Sequence, residues 1–110
     1  MIDDDQDTTG VRELCGQAGM PGEGPHMIVW LAIAGDRVVS ARYDTYGCPS
    51  SLKCGEFVTS WAVGRQLETL GVLEPDDLVK ILSLPLGKEH VAALTVKAIR
   101  RAIEEQGNQQ

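Results

Sequence analysis

Residues 38–62 read VVSARYDTYGCPSSLKCGEFVTSWA, and the periodicity changes in the middle of this run. From Val38 to Tyr46 the side chains alternate with the two-residue period of a strand that buries one face. From Cys54 onward Phe57, Val58, Trp61 and Ala62 fall at i+3, i+4, i+7 and i+8, one stripe of an amphipathic helix ending near Gly64. The switch from sheet to helix lies at Gly47-Cys48-Pro49. Glycine lets the backbone turn sharply and proline is pre-set for the first helical position, so Cys48 is expected at the helix N-cap.

Working toward the N-terminus, Met27 to Ile33 is rich in branched residues, and Ala34-Gly35-Asp36-Arg37 supplies turn chemistry. Together with Val38 to Tyr46 they predict an antiparallel hairpin. Gly16 to Pro25 holds four glycines and two prolines and reads as a loop, and Val11 to Cys15 as a short edge strand or one helical turn. Residues 1–10, with four aspartates and no apolar periodicity, read as a disordered acidic tail. Toward the C-terminus, Pro75-Asp76-Asp77 opens a short helix that buries Leu78, Ile81 and Leu82 and ends before Pro85. A longer helix spans about Gly87 to Glu105 on the stripe Val91, Leu94, Ala98, Ile99 and Ala102, and residues 106–110 form a polar tail. Strands first and helices after give an α+β fold: a small antiparallel sheet of about three strands with helices packed on one face, in a single domain over 11–105.

The 110 residues carry 10 lysines and arginines against 16 aspartates and glutamates, a net charge of −6, which repels phosphate backbones and argues against nucleic-acid binding. The longest apolar run, Met27 to Ala34, is far short of the ~20 residues of a membrane span, and Met1-Ile2-Asp3-Asp4-Asp5 does not read as a secretion signal. The expectation is a cytoplasmic protein with no membrane partner, whose three cysteines stay reduced. Among them Cys48 stands out, because an N-cap thiol feels the helix dipole and unpaired amides, which favour the thiolate that binds metals. Cys54 shares the stripe with Phe57 and Trp61, where a buried packing thiol is the simpler reading, and Cys15 reads as incidental. His90 and His26 are further donor candidates, each equally explained by local hydrogen bonding or loop position. Asp76, Asp77 and Glu89 are explained by helix-dipole compensation, and no catalytic constellation is present that would make the chain an enzyme.

Two runs are more specific: Ala41-Arg42-Tyr43-Asp44-Thr45-Tyr46-Gly47-Cys48 and Leu84-Pro85-Leu86-Gly87-Lys88-Glu89-His90. With Thr59-Ser60-Trp61 between them, they resemble the IscU-type, NifU N-terminal iron-sulfur cluster assembly scaffolds over roughly residues 24–104. The resemblance implies a three-stranded antiparallel sheet covered by helices, and a non-enzymatic scaffold or carrier holding iron or a [2Fe-2S] cluster. It also implies a cysteine desulfurase and cluster-accepting apo-proteins as partners. Of the family's ligand positions only Cys48 and His90 are matched. The loop that carries Cys-Gly-Asp in the family reads Gly22-Glu23-Gly24-Pro25-His26, and Val91 stands where the last family cysteine follows the histidine. Cys54, His26 or Glu23 would then complete the shell, or a homodimer would supply four ligands around a bridging cluster. Zinc accepts the same donors, so a relative that binds structural zinc or only a protein partner is the alternative. Leu86-Gly87 replaces the Pro-Val of the segment gripped by the family's Hsp70-type chaperone, which weakens the expectation of that partner.

Overall fold

The computed structural model describes residues 11–19 and 24–108. The expected acidic tail at 1–10 and Glu23 lie outside the described residues. Three strands, β1 (Val11–Gly19), β2 (His26–Ala34) and β3 (Arg37–Tyr46), form one antiparallel sheet in the order β1-β2-β3. Four helices follow: α1 (Pro49–Ala62), α2 (Leu67–Leu70), α3 (Pro75–Leu82) and α4 (Glu89–Asn108). Among the described residues no helix is long and apolar enough to cross a membrane.

The β2–β3 hairpin turns at Gly35, whose φ of 67° is the left-handed value that glycine adopts without a Cβ penalty. Alternation along β2 is strict: Met27, Val29, Leu31 and Ile33 are buried, while Ile28, Trp30 and Ala32 lie on the opposite face and are only half-buried. The buried face meets α1 and α4 and encloses the core with Leu14, Val58, Leu78 and Ile99. All the helices therefore cover one face of the sheet, as the order of periodicities in the sequence implies.

Three expectations are corrected, and one element is additional to them. The stretch from Gly16 does not leave regular structure: β1 continues to Gly19, and Cys15 sits within it opposite Trp30. The reason is packing, since a Cβ at Gly16 would collide with the backbone of Ala98 and Ala102 in α4. Glycine at this position lets helix and strand approach rather than breaking the strand. Ile81 is 56% exposed, so α3 buries only Leu78 fully. The last helix passes Glu105 and runs to Asn108. Finally, the single-turn helix α2 was not signalled by any periodicity, being too short to show one.

Candidate functional site

Cys48 is the N-cap of α1, with extended backbone and Pro49 beginning the helix. Its carbonyl accepts hydrogen bonds from the Ser51 amide at 2.9 Å and the Ser51 hydroxyl at 2.7 Å, which lock the corner. A Cβ on Gly47 would sit 3.3 Å from Ser51 Oγ, a tight contact with the hydroxyl that closes the corner. The thiol makes no formal capping hydrogen bond but lies against the α1 amides and the Lys88 side chain. Burial alone would raise its pKa; the amides of Ser51 and Ser50 and the Lys88 ammonium outweigh it and hold the thiol below the ordinary cysteine value. Cys48 is thus the thiol of lowered pKa at a half-exposed corner.

Lys88 comes from the turn that leads into α4. Its amide donates to the Pro85 carbonyl at 3.0 Å and its own carbonyl accepts from Val91 N–H, also at 3.0 Å. This turn carries the resembling segment Leu84 to His90 back to the Cys48 corner. Within that segment no local sequence pattern assigns Lys88 a role. A cation in an otherwise acidic chain, next to a candidate donor, is the signal that could have singled it out.

Cys54 is fully buried on α1 and faces α4. Burial raises its pKa; a hydrogen bond with the Thr95 side chain opposes the rise, and the Cys48 charge adds to it. Thr95 is itself buried, and its hydroxyl is placed to donate either to the Val91 carbonyl at 2.9 Å or to the Cys54 sulfur, its single proton serving one of them at a time. Cys48, Lys88, Val91, Thr95 and Cys54 therefore form a connected neighbourhood where the start of α1 meets the start of α4.

The remaining candidates lie differently. His90 is exposed on the first turn of α4. His26, at the start of β2, shares the parity of Ile28 and Trp30 on the helix-free side of the sheet and stacks on Tyr46 with centroids 6.3 Å apart. Its Nδ1 is buried without a partner among the described residues. Cys15 keeps its thiol, with burial and the carboxylates of Glu105 and Glu13 raising its pKa, in the middle of β1. Among the described residues no three His, Cys, Asp or Glu side chains gather closely enough to hold one metal ion. What the corner offers chemically is one thiol of lowered pKa, half-exposed, with a cation beside it.

The sequence matches the NifU-like N terminal domain over residues 2–110. It is 30% identical over 89 residues to the iron-sulfur cluster assembly scaffold protein IscU of Haemophilus influenzae, an overlap of 80% of this chain and 71% of that protein. The protein of the same name from Escherichia coli K12 is 32% identical over 89 residues, with 80% and 70% covered. The iron-sulfur cluster assembly enzyme IscU of Drosophila melanogaster is 30% identical over 89 residues, covering 80% of this chain and 58% of its own length. A match across nearly the whole chain, together with the sheet and its one-sided helical layer, makes this protein a member of the NifU-like N-terminal domain family.

Proposed function

We propose that this protein is an iron-sulfur cluster assembly scaffold or carrier whose cargo is anchored on Cys48. The observation that carries the reading is the Cys48 corner: a half-exposed thiol whose pKa helix amides and Lys88 lower, at the place where the sequence resemblance described above implies a ligand. His90, exposed on the neighbouring α4 start, is the second donor of the proposal. The full burial of Cys54 supports a packing role for that thiol, and the outward position of His26 supports leaving it out of the shell.

A structural zinc site requires a closed tetrahedral set of four donors. The half-exposed position of Cys48 supports an open site over such a closed centre, as a carrier that must release its cargo requires. Cargo here means iron or a [2Fe-2S] cluster, with sulfur from a cysteine desulfurase and delivery to apo-proteins as the partner reactions.

Anaerobic reconstitution with ferric iron and sulfide tests the proposal, read by visible absorption and by iron and sulfide counts per chain. Sulfide-to-iron charge-transfer bands that disappear in Cys48→Ser while the fold is retained are the expected result. Zinc bound stoichiometrically with no iron-sulfur absorption would overturn it.

A further inference from the structure

The two edges of the sheet are treated differently, and the difference points to a partner. On β1 the outward-facing backbone groups are capped by α4: Cys15 N–H donates to Glu105 Oε1 at 2.6 Å, and the Gln17 carbonyl accepts from Arg101 Nη1 at 2.8 Å. On β3 only the first part of the edge is covered, where Val38 N–H donates to the Arg65 carbonyl at 2.9 Å and the Val38 carbonyl accepts from Gly64 N–H at 2.8 Å.

The alternation of an antiparallel ladder then fixes which later groups face outward. Because Cys15 and Gln17 point away from β2, their partners Trp30 and Ile28 point toward β3, and so bond Arg42 and Asp44. The outward-facing residues of β3 are therefore Ala41, Tyr43 and Thr45, whose N–H and C=O groups find no partner among the described residues. A row of this kind is a template for another strand.

Charge selects the strand. Arg42 and Asp44 flank Tyr43 and project from the helix-free face, where the 61% exposed Arg42 side chain lies 4.2 Å over the Trp30 ring and meets Glu13 of β1 at 3.4 Å, exposed contacts it would exchange for a facing carboxylate on pairing. In an antiparallel pairing of β3 with a second β3 centred on Tyr43, the outward groups of Ala41, Tyr43 and Thr45 meet one another. Arg42 then stands opposite Asp44 of the second copy, and Asp44 opposite its Arg42. Both are non-hydrogen-bonded positions, where facing Cα atoms are only about 4.5 Å apart. Registers shifted to centre on residue 42 or 44 would set Arg42 against Arg42 or Asp44 against Asp44, which is unfavourable.

We propose that the open edge of β3 is a self-association surface on which a second copy of this chain pairs antiparallel about Tyr43, joining two sheets into one. The strand ends place the two Cys48 corners far apart: five residues at ~3.3 Å each put Cys48 ~17 Å from the two-fold axis, and the two corners ~33 Å from each other. Such a dimer carries two separate cargo sites and does not bridge one cluster.

Sedimentation velocity over a concentration series of the wild-type chain, with circular dichroism to confirm the fold of each variant, is the test. A concentration-dependent dimer is expected. Arg42→Asp should weaken it about tenfold, because both cross-strand pairs become repulsive. The double exchange R42D/D44R restores the opposite charges and should recover the wild-type constant. A chain that stays monomeric at every concentration, a dimer indifferent to Arg42→Asp, or a double exchange that stays as weak as the single variant would each overturn the register and the surface. Reconstitution of Cys48 cargo is a separate readout, so failure of the dimer leaves the scaffold proposal standing.

Discussion

The Lys88 side chain reaches the Cys48 thiol, so the turn before α4 supplies a cation to the N-cap of α1 although 40 positions separate the two residues. Its contribution can be separated from that of the Ser50 and Ser51 amides, because replacing Lys88 leaves the helix N-terminus intact. Cys48 should be the thiol alkylated first by iodoacetamide, ahead of Cys15 and Cys54, whose pKa values burial raises. In Lys88→Ala the thiolate loses an attractive charge, so the midpoint of the pH–alkylation curve moves up and the rate at neutral pH falls. An unchanged midpoint would assign the depressed pKa to the helix terminus alone.

Gly16→Ala tests the close approach of β1 and α4. A methyl group there meets the Ala98 carbonyl and the Ala102 amide, both backbone atoms held by the helix, so strand and helix have to separate. A loss of about 2–4 kcal/mol in denaturant unfolding is expected, with a fall in the midpoint and little change in slope. A near-neutral effect would mean that this packing is loose.

Periodicity revealed the hairpin, α1 and α4 because each buries a long regular stripe, as in Met27 to Ile33 and Val91 to Ala102. It missed the second half of β1 for a physical reason: Gly16 and Gly19 carry a breaker signal locally, while the force that keeps Gly16 in the sheet comes from Ala98 and Ala102, more than 80 positions away. The site divides in the same way. Cys48 was legible because its neighbours in sequence, Gly47 and Pro49, define the corner. Lys88 and Thr95 act through space, and no local pattern ties either to a cysteine on α1. Ile81 was misplaced because a helix of eight residues has too few turns to fix the width of its buried face.

Cys54 should prove a structural thiol. It is fully buried between α1 and α4, and its sulfur fills space that a serine oxygen fills less well. Cys54→Ser is expected to cost about 1–3 kcal/mol, from lost packing and a buried hydroxyl with imperfect partners, while iron and sulfide counts after reconstitution stay near wild type. Cargo lost from a folded Cys54→Ser or Cys54→Ala protein would move this thiol into the ligand shell.

Val91 decides how well the corner can do its work. Its side chain is only 2% exposed, its amide bonds the Lys88 carbonyl, and its carbonyl receives the Thr95 hydroxyl that neighbours Cys54. It therefore sits beside the Cys48 corner but offers neither a donor nor a nucleophile. On the scaffold reading proposed above, valine there would leave Cys48 to receive sulfur and anchor iron with the same atom, and the wild-type cluster is expected to form in low yield and decay quickly. Cysteine is a small hydrophobe that a buried site accepts at modest cost, so Val91→Cys should fold and add a third thiol to the neighbourhood of Cys48 and Cys54. Cluster yield from desulfurase-supplied sulfur, or cluster lifetime after removal of excess iron, should rise in Val91→Cys and vanish in Cys48→Ser. A wild-type cluster that is already stable, with no gain from Val91→Cys, would show that one protein thiolate and donors from elsewhere are sufficient at this corner.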